Sequence, residues 1–418
     1  MPTGEQGRLW GFVDWATQTH TACVVDASGS AVKEFSVENS PEGLAGLAVQ
    51  LTGLCQGQLE RMAMGIEVPH GTVVDALLET GFAVFSLNPK QIDRFRDRYS
   101  PAGAKDDRRD AFVGANALRT DPLAFHRIEA DHPAVVELRE WSRMDQDLGQ
   151  DLLAQANRLR AQVLRVAPHW LKLCSAADEP WFWTLLELAP TPAAAADLTP
   201  RRVQSALRRH RIRRLSPQQV LATWQSACLG TPAGVVTAVS AHVAVLIAQL
   251  RLLHQQRRSA AAQLKRCLAA CQTVFTGPSG RPGAVEVALS QPGVGLRVAA
   301  CFFGEASRCL AGRNLHAFRA LTGTGPVTKS SGKTRRVHMR RACDSRLRDS
   351  CFHWARIAVQ RDPRSKAHYA ALKRKGCSHA RALRGVGDRL AARMFAMIER
   401  GTLYDPNHRR VPPGQEKA

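Results

Sequence analysis

The chain has 418 residues, with 58 Lys and Arg against 36 Asp and Glu, a formal charge of +22. Its length allows two or three domains with real cores, and its charge predicts a polyanionic partner, nucleic acid before membrane. Eleven cysteines without a Cys-x-x-Cys pair fit scattered thiols in a reduced compartment better than disulfides or a zinc site, and no apolar run reads as long enough to span a bilayer.

In chain order, RLWGFVDW (8–15), TACVVDA (21–27) and AVKEFSV (31–37) read as three short strands, the last two joined at the turn DASGS. Asp26 in that turn is a turn former. SPEGLAGLAVQL (40–51) has a Ser cap, Pro at the first helical position and helically spaced apolar residues. RMAMGIE (61–67) is a buried strand ending in a carboxylate. GTVVDALLETG (71–81) is a helix closed by Gly, FAVFSLNP (82–89) a further strand, and DDRRDAFVGANALRT (106–120) a helix whose start suits Asp106. This order describes an α/β mixed sheet of the ribonuclease H type.

An all-α region follows. Apolar residues from Leu138 to Val166, and again from Val239 to Cys271, recur at spacings of three and four, long enough for a coiled coil. Arg257 interrupts the second stripe. The two stripes pack on each other or pair between protomers. Between them, seven Arg fall in 201–214, among them Arg208, Arg209, Arg211, Arg213 and Arg214; that density predicts a phosphate-contacting surface. Pro and Gly after residue 277 mark a new, mainly helical domain. The expected domains are 1–128, 129–277 and 278–418.

The charge is uneven. Residues 1–130 hold 12 basic and 17 acidic residues, a net of −5, which leaves +27 for the remainder. An acidic module joined to a basic remainder fits a metal-dependent site coupled to a nucleic-acid clamp. Within the acidic module, Asp14 ends the first strand and Glu67 the fourth, and these strands are neighbours in a ribonuclease H-like sheet. Asp107 and Asp110 stand three apart and share one helix face. Four converging carboxylates repel unless a cation sits among them, and two Mg2+ ions about 4 Å apart meet that need. His20 is assigned a structural role. PGVG (292–295) and RGVG (384–387) each look like the hairpin of a helix-hairpin-helix, and helix termination explains either equally well.

Several segments resemble the DEDD transposases of the IS110 family of insertion sequences, which join a RuvC-like domain to a C-terminal transposase domain. The N-terminal matches are GFVDWATQTH, MGIEVPHG, SLNPKQIDRFR and AKDDRRDA. On them the family's four carboxylates fall on Asp14, Glu67, Asp107 and Asp110. The C-terminal matches are LSQPGVGLRVAACFFGE, LTGTGPVTKSSGKTRRVHMRRACDSRLRDSCFHWA and GTLYDP. The resemblance covers both ends of the chain well and residues 171–235 poorly.

The resemblance implies a Mg2+-dependent recombinase, guided by a bridge RNA that pairs with donor and target DNA. It implies a nucleophilic Ser directly before a Gly, which selects Ser331. Lys329, Lys333, Arg335 and Arg336 surround that serine and can hold a phosphate. The expected state is a homo-oligomer, dimer or tetramer, acting in the cytoplasm without a membrane. Two other readings stay open. One is a RuvC-like junction nuclease using activated water, the other a catalytically inactive nucleic-acid-binding protein.

Overall fold

The computed structural model describes residues 7–69, 71–99, 106–226, 230–278, 280–332 and 334–407. Contacts divide the chain into two compact units, residues 1–131 and 132–418.

The first unit contains β1 (Leu9–Asp14), β2 (Thr19–Val25), β3 (Ala31–Glu38), α1 (Pro41–Leu54), β4 (Met62–Ile66), α2 (Thr72–Thr80), β5 (Ala83–Ser86), α3 (Pro89–Arg96), α4 (Asp107–Thr120) and β6 (His126–Ile128). Its six-stranded sheet has the order β3-β2-β1-β4-β5-β6. β1 pairs antiparallel with β2 and parallel with β4. The mixed sheet with helices is consistent with a ribonuclease H-like fold.

Local chemistry explains the punctuation. Asp26 accepts from the amides of Ser28 and Ser30 and shapes the β2–β3 turn. Ser40 caps α1 ahead of Pro41, and Gly81 closes α2 in the left-handed conformation, φ +102°. Alternation puts Val13, Ala22, Val24 and Ile66 into one core layer with Leu47 of α1 and Leu77 of α2. Phe12, Cys23 and Ala63 point to the other face, against Ala111, Ala115 and Leu118 of α4. The strand expected over 82–89 stops at Ser86, because Asn88 caps a new helix and Pro89 opens it.

The second unit begins with α5 (Pro133–Val166), α6 (Pro180–Leu188), α7 (Pro192–Ala196), α8 (Pro200–Arg209), α9 (Pro217–Trp224) and α10 (Ala233–Ala270). After these come α11 (Ala284–Ser290), α12 (Leu296–Glu305), α13 (Ser307–Ala311), α14 (Leu315–Leu321), β7 (Val327–Ser331), β8 (Thr334–His338), α15 (Ser345–Arg361), α16 (Pro363–Arg374) and α17 (His379–Arg400). α5 and α10 pack antiparallel. Glu137 meets Arg266 at 2.7 Å near one end, and Val163 shares a core with Val239 and Val243 near the other.

This pair carries two separate cores. Val135, Leu138, Leu264 and Leu268 belong with α11, α12, α15 and α17. Leu159, Val163, Leu246 and Leu250 belong with α6, α8 and α9, around the stacked rings of Trp170 and Trp224. Between the cores lies a polar layer. Buried Asp145 accepts from Arg297 at 2.6 and 3.0 Å and lies 3.6 Å from Arg257. The break at Arg257 is therefore one side of an ion cluster within the chain.

Two expectations are corrected here. α10 contains an 18-residue window of mean hydropathy 1.9, long and apolar enough by length and composition to cross a membrane. In the fold its Val239, Val243, Leu246, Ile247 and Leu250 are core residues beside α5 and α6. RGVG lies inside α17, neither a hairpin nor a helix end. Its Gly387 faces Cys351 of α15, where a Cβ would sit 3.1 Å from the thiol sulfur.

Candidate active site and nucleic-acid interface

The carboxylates of the first unit are placed by register. Val13 pairs with Ile66, so the next residues, Asp14 and Glu67, leave adjacent parallel strands at the same end of the sheet. Glu67 lies one residue past β4, in a bend, and is half-buried like Asp14. Asp14 alternates with Phe12 and so takes the face covered by α4.

α4 runs antiparallel to β1. Gly114 lies so close to the Phe12 ring that a methyl there would overlap it. Farther along α4, Asn116 and Arg119 donate to the carbonyls of Gly29 and Ala27 in the β2–β3 turn, beside the start of β1. The N-terminus of α4 therefore lies at the end where Asp14 and Glu67 emerge. Asp106 caps it, Asp107 is exposed on its first residue, and Asp110 follows, only 5% exposed.

Asp110 already has a cationic partner. Arg96, at the end of α3, donates through Nε and a terminal nitrogen to its two carboxylate oxygens, at 2.7 and 2.9 Å. Burial works against the Arg96 charge, but its bonds to Asp110 and Asp93 outweigh that and raise its pKa. Among the described residues, no three His, Cys, Asp or Glu side chains approach closely enough to hold a metal ion. The donors gathered at this end are hard oxygens, which suit Mg2+, and Asp110 must release Arg96 to serve as one. Sequence reasoning missed Arg96; the cap Asn88-Pro89 and the Asp93/Arg96 spacing were its available signal.

His20 is fully buried on β2, accepting from the Ala16 amide through Nδ1 at 3.2 Å. It alternates with Ala22 and so points to the sheet face opposite that of Asp14.

In the second unit, the serine pair lies on a hairpin. β7 and β8 are joined through a turn that begins at Gly332, φ +53°. Ser331 pairs with Thr334, Ser330 with Arg335, and Lys329 with Arg336. Opposed residues share a face and successive ones alternate. Ser331 therefore shares one face with Lys329, Thr334 and Arg336, and Ser330 shares the other with Arg335. All these side chains are exposed, and Lys333 lies outside the described residues.

The family model for the DEDD transposases of IS110 matches residues 13–168, which hold all four carboxylates. The model of the transposase IS116/IS110/IS902 family matches 285–370, which holds the hairpin. The mini-circle protein of IS117 from Streptomyces coelicolor, named as a transposase, is 28% identical over 411 residues, 96% of each chain. The chain belongs to the IS110 family of transposases. The transposase-named y4uE protein of Sinorhizobium fredii is 43% identical over 213 residues, which are 50% of this chain and 59% of its own length. The 43.6 kDa protein of insertion element IS110 in Streptomyces coelicolor is 28% identical over 348 residues, 81% of each.

In this IS110-family transposase the arginines of 201–214 divide into two groups. Arg208, Arg209, Arg211 and Arg213 are exposed at and beyond the end of α8, with no ion pair among the described residues. Arg214 instead bonds Glu179 at 2.6 Å and lies 5.6 Å above the Trp181 ring. The GTLYDP segment forms a clasp. Gly401 ends α17 in the left-handed conformation, φ +60°, and the Tyr404 hydroxyl donates to buried Asp362 at 3.0 Å.

Proposed function

We propose that this transposase cuts and rejoins DNA through Asp14, Glu67, Asp107, Asp110 and the nucleophile Ser331. The observation that carries the reading is the gathering of four carboxylates at one end of the sheet in a chain of this family. Two Mg2+ ions held by these carboxylates would polarise the phosphate and activate a hydroxyl group. Asp14 offers oxygens from the end of β1, Glu67 from the bend after β4, and Asp107 and Asp110 from one helical turn.

Ser331 Oγ loses its proton and forms a bond to a DNA phosphorus while the P–O bond to the 3′ oxygen breaks and that oxygen takes up a proton. The product is a phosphoserine link and a free 3′ hydroxyl. Lys329 and Arg336 share the Ser331 face and hold the phosphate, with Arg335 and Lys333 adding positive charge nearby. Reversal of the step after strand exchange rejoins DNA without ATP. A bridge RNA selects donor and target, which the family resemblance supports, and the protein acts as a homo-oligomer.

The test is a covalent adduct. DNA trapped in mid-reaction should stay on the wild-type protein through denaturation and be absent from Ser331→Ala. Cleavage by the wild type without an adduct would replace this reading with the junction nuclease that uses activated water.

A further inference from the structure

The segment from residue 169 to 284 lies outside both family matches. Within it, α6, α8 and α10 border an open cavity of about 710 Å³. Its charged lining is Arg209 from α8 with Arg251, His254 and Arg258 from α10, above the buried face of Trp183.

No carboxylate lines the cavity among the described residues. Arg251 is held beside it by Glu187 and by the Thr184 hydroxyl, the latter at 3.0 Å. That hydroxyl also pairs with His210 Nε2 at 2.9 Å. Arg209 and Arg258 have no ion pair among the described residues, so Glu187 leaves most of the positive charge uncompensated. The imidazoles report the same field. Burial first, and then the neighbouring arginines, push both His210 and His254 below the ordinary histidine pKa.

We infer that this cavity is a docking site for a phosphodiester of a nucleic-acid strand. Arg209 and Arg258 reach it from two helices, and Arg251, oriented by Glu187 and Thr184, supplies a preset donor fork. The Trp183 floor excludes water on one side and strengthens each charge–phosphate contact. The cavity is larger than one phosphate and open, and exposed Arg208, Arg211 and Arg213 lie within four residues of Arg209 in sequence. A continuous strand fits that arrangement better than a small free anion. The inference rests on the nucleic-acid reading of the family and assigns a position for one contact.

The test uses the full chain, with labelled DNA and RNA single strands as probes. A photo-cross-linking residue replaces Gln255, which is exposed and lines the cavity. A cross-link to DNA, to RNA or to both is expected and identifies the strand. In Arg209→Gln/Arg258→Gln, the log–log salt slope should fall by about 1.4, roughly 0.7 for each lost single-strand contact. The cross-link should fall with it, while the circular dichroism spectrum stays unchanged. An unchanged slope, or a lower slope without any cross-link at Gln255, overturns the cavity assignment and leaves nucleic-acid binding standing. A wild-type protein that binds neither strand overturns both.

Discussion

Arg96 grips both carboxylate oxygens of Asp110, at 2.7 and 2.9 Å, and both side chains are largely withdrawn from solvent. In the proposed metal role of Asp110, a guanidinium and a divalent cation would compete for those two oxygens. Arg96→Gln is therefore expected to tighten Mn2+ binding on the order of tenfold, the equivalent of about 1.4 kcal/mol. The electron paramagnetic resonance signal of free Mn2+ during titration reads this without any turnover. Equal affinity in the two proteins would remove Arg96 from competition with the ion.

The two helical carboxylates should separate when stability and cleavage are measured together. Asp107 is exposed, so Asp107→Ala should change stability by no more than about 0.5 kcal/mol. Asp110→Ala strands the partly buried Arg96 and should cost several-fold more, about 2 kcal/mol or above. Both should abolish DNA cleavage. Urea unfolding beside a cleavage assay gives both readings, and robust cleavage by either variant would exclude that residue from the site.

Register also separates the two serines. Ser331 shares a hairpin face with Lys329 and Arg336, whereas Ser330 shares the other with Arg335. Ser331→Ala should eliminate a denaturation-resistant DNA adduct, and Ser330→Ala should retain it. Mass spectrometry of the trapped peptide identifies the linked residue. An adduct on Ser330 would transfer the nucleophile to the opposite face.

The clasp at Asp362 predicts a pH dependence of stability. Burial alone would raise the Asp362 pKa, but bonds from Ser365 and Tyr404 and the charge of Arg393 hold it below the ordinary carboxylate value. A pKa depressed in the folded state means that the stabilisation is complete above the unfolded value. It is lost as pH falls through the folded value. Tyr404→Phe should cost about 1 kcal/mol near neutral pH. The gap between the two proteins should narrow below pH of about 4, where an ordinary Asp becomes protonated. Urea midpoints across pH 2–7, taken as roughly spanning that titration, test this. A gap independent of pH would mean that Tyr404 acts through packing alone.

Much of the first unit was legible because its signals are local. Alternating apolar residues around DASGS define β2 and β3, and strand ends place Asp14 and Glu67. What escaped depends on partners distant in sequence. Nothing near Asp110 announces Arg96, since the pairing exists only once α3 packs on α4. The interruption at Arg257 is visible in the α10 stripe, yet its partner Asp145 lies on α5 and disrupts the other stripe. KSSGKTRR is polar on both faces, so period-two alternation cannot show β7 and β8. In SLNPKQ, the apolar residues carried the strand reading past Asn88, where the cap chemistry turns the chain into α3.

The antiparallel α5–α10 pair has a consequence for how such a protein can change. The chain leaves the pair after Val166 and rejoins it at Ala233, beside its point of departure. Everything between is a detour with neighbouring ends, resting on its own core and separated from the other by the Asp145 layer. Doubling such a detour costs only about 0.6 kcal/mol in closure entropy. The family matches stop at residue 168 and resume at 285. The pair is thus a socket. Relatives can exchange the head mounted on it, and with it Trp183 and Arg209 of the cavity, while Arg251, His254 and Arg258 stay on α10 and the base that carries the Ser331 hairpin is not rebuilt.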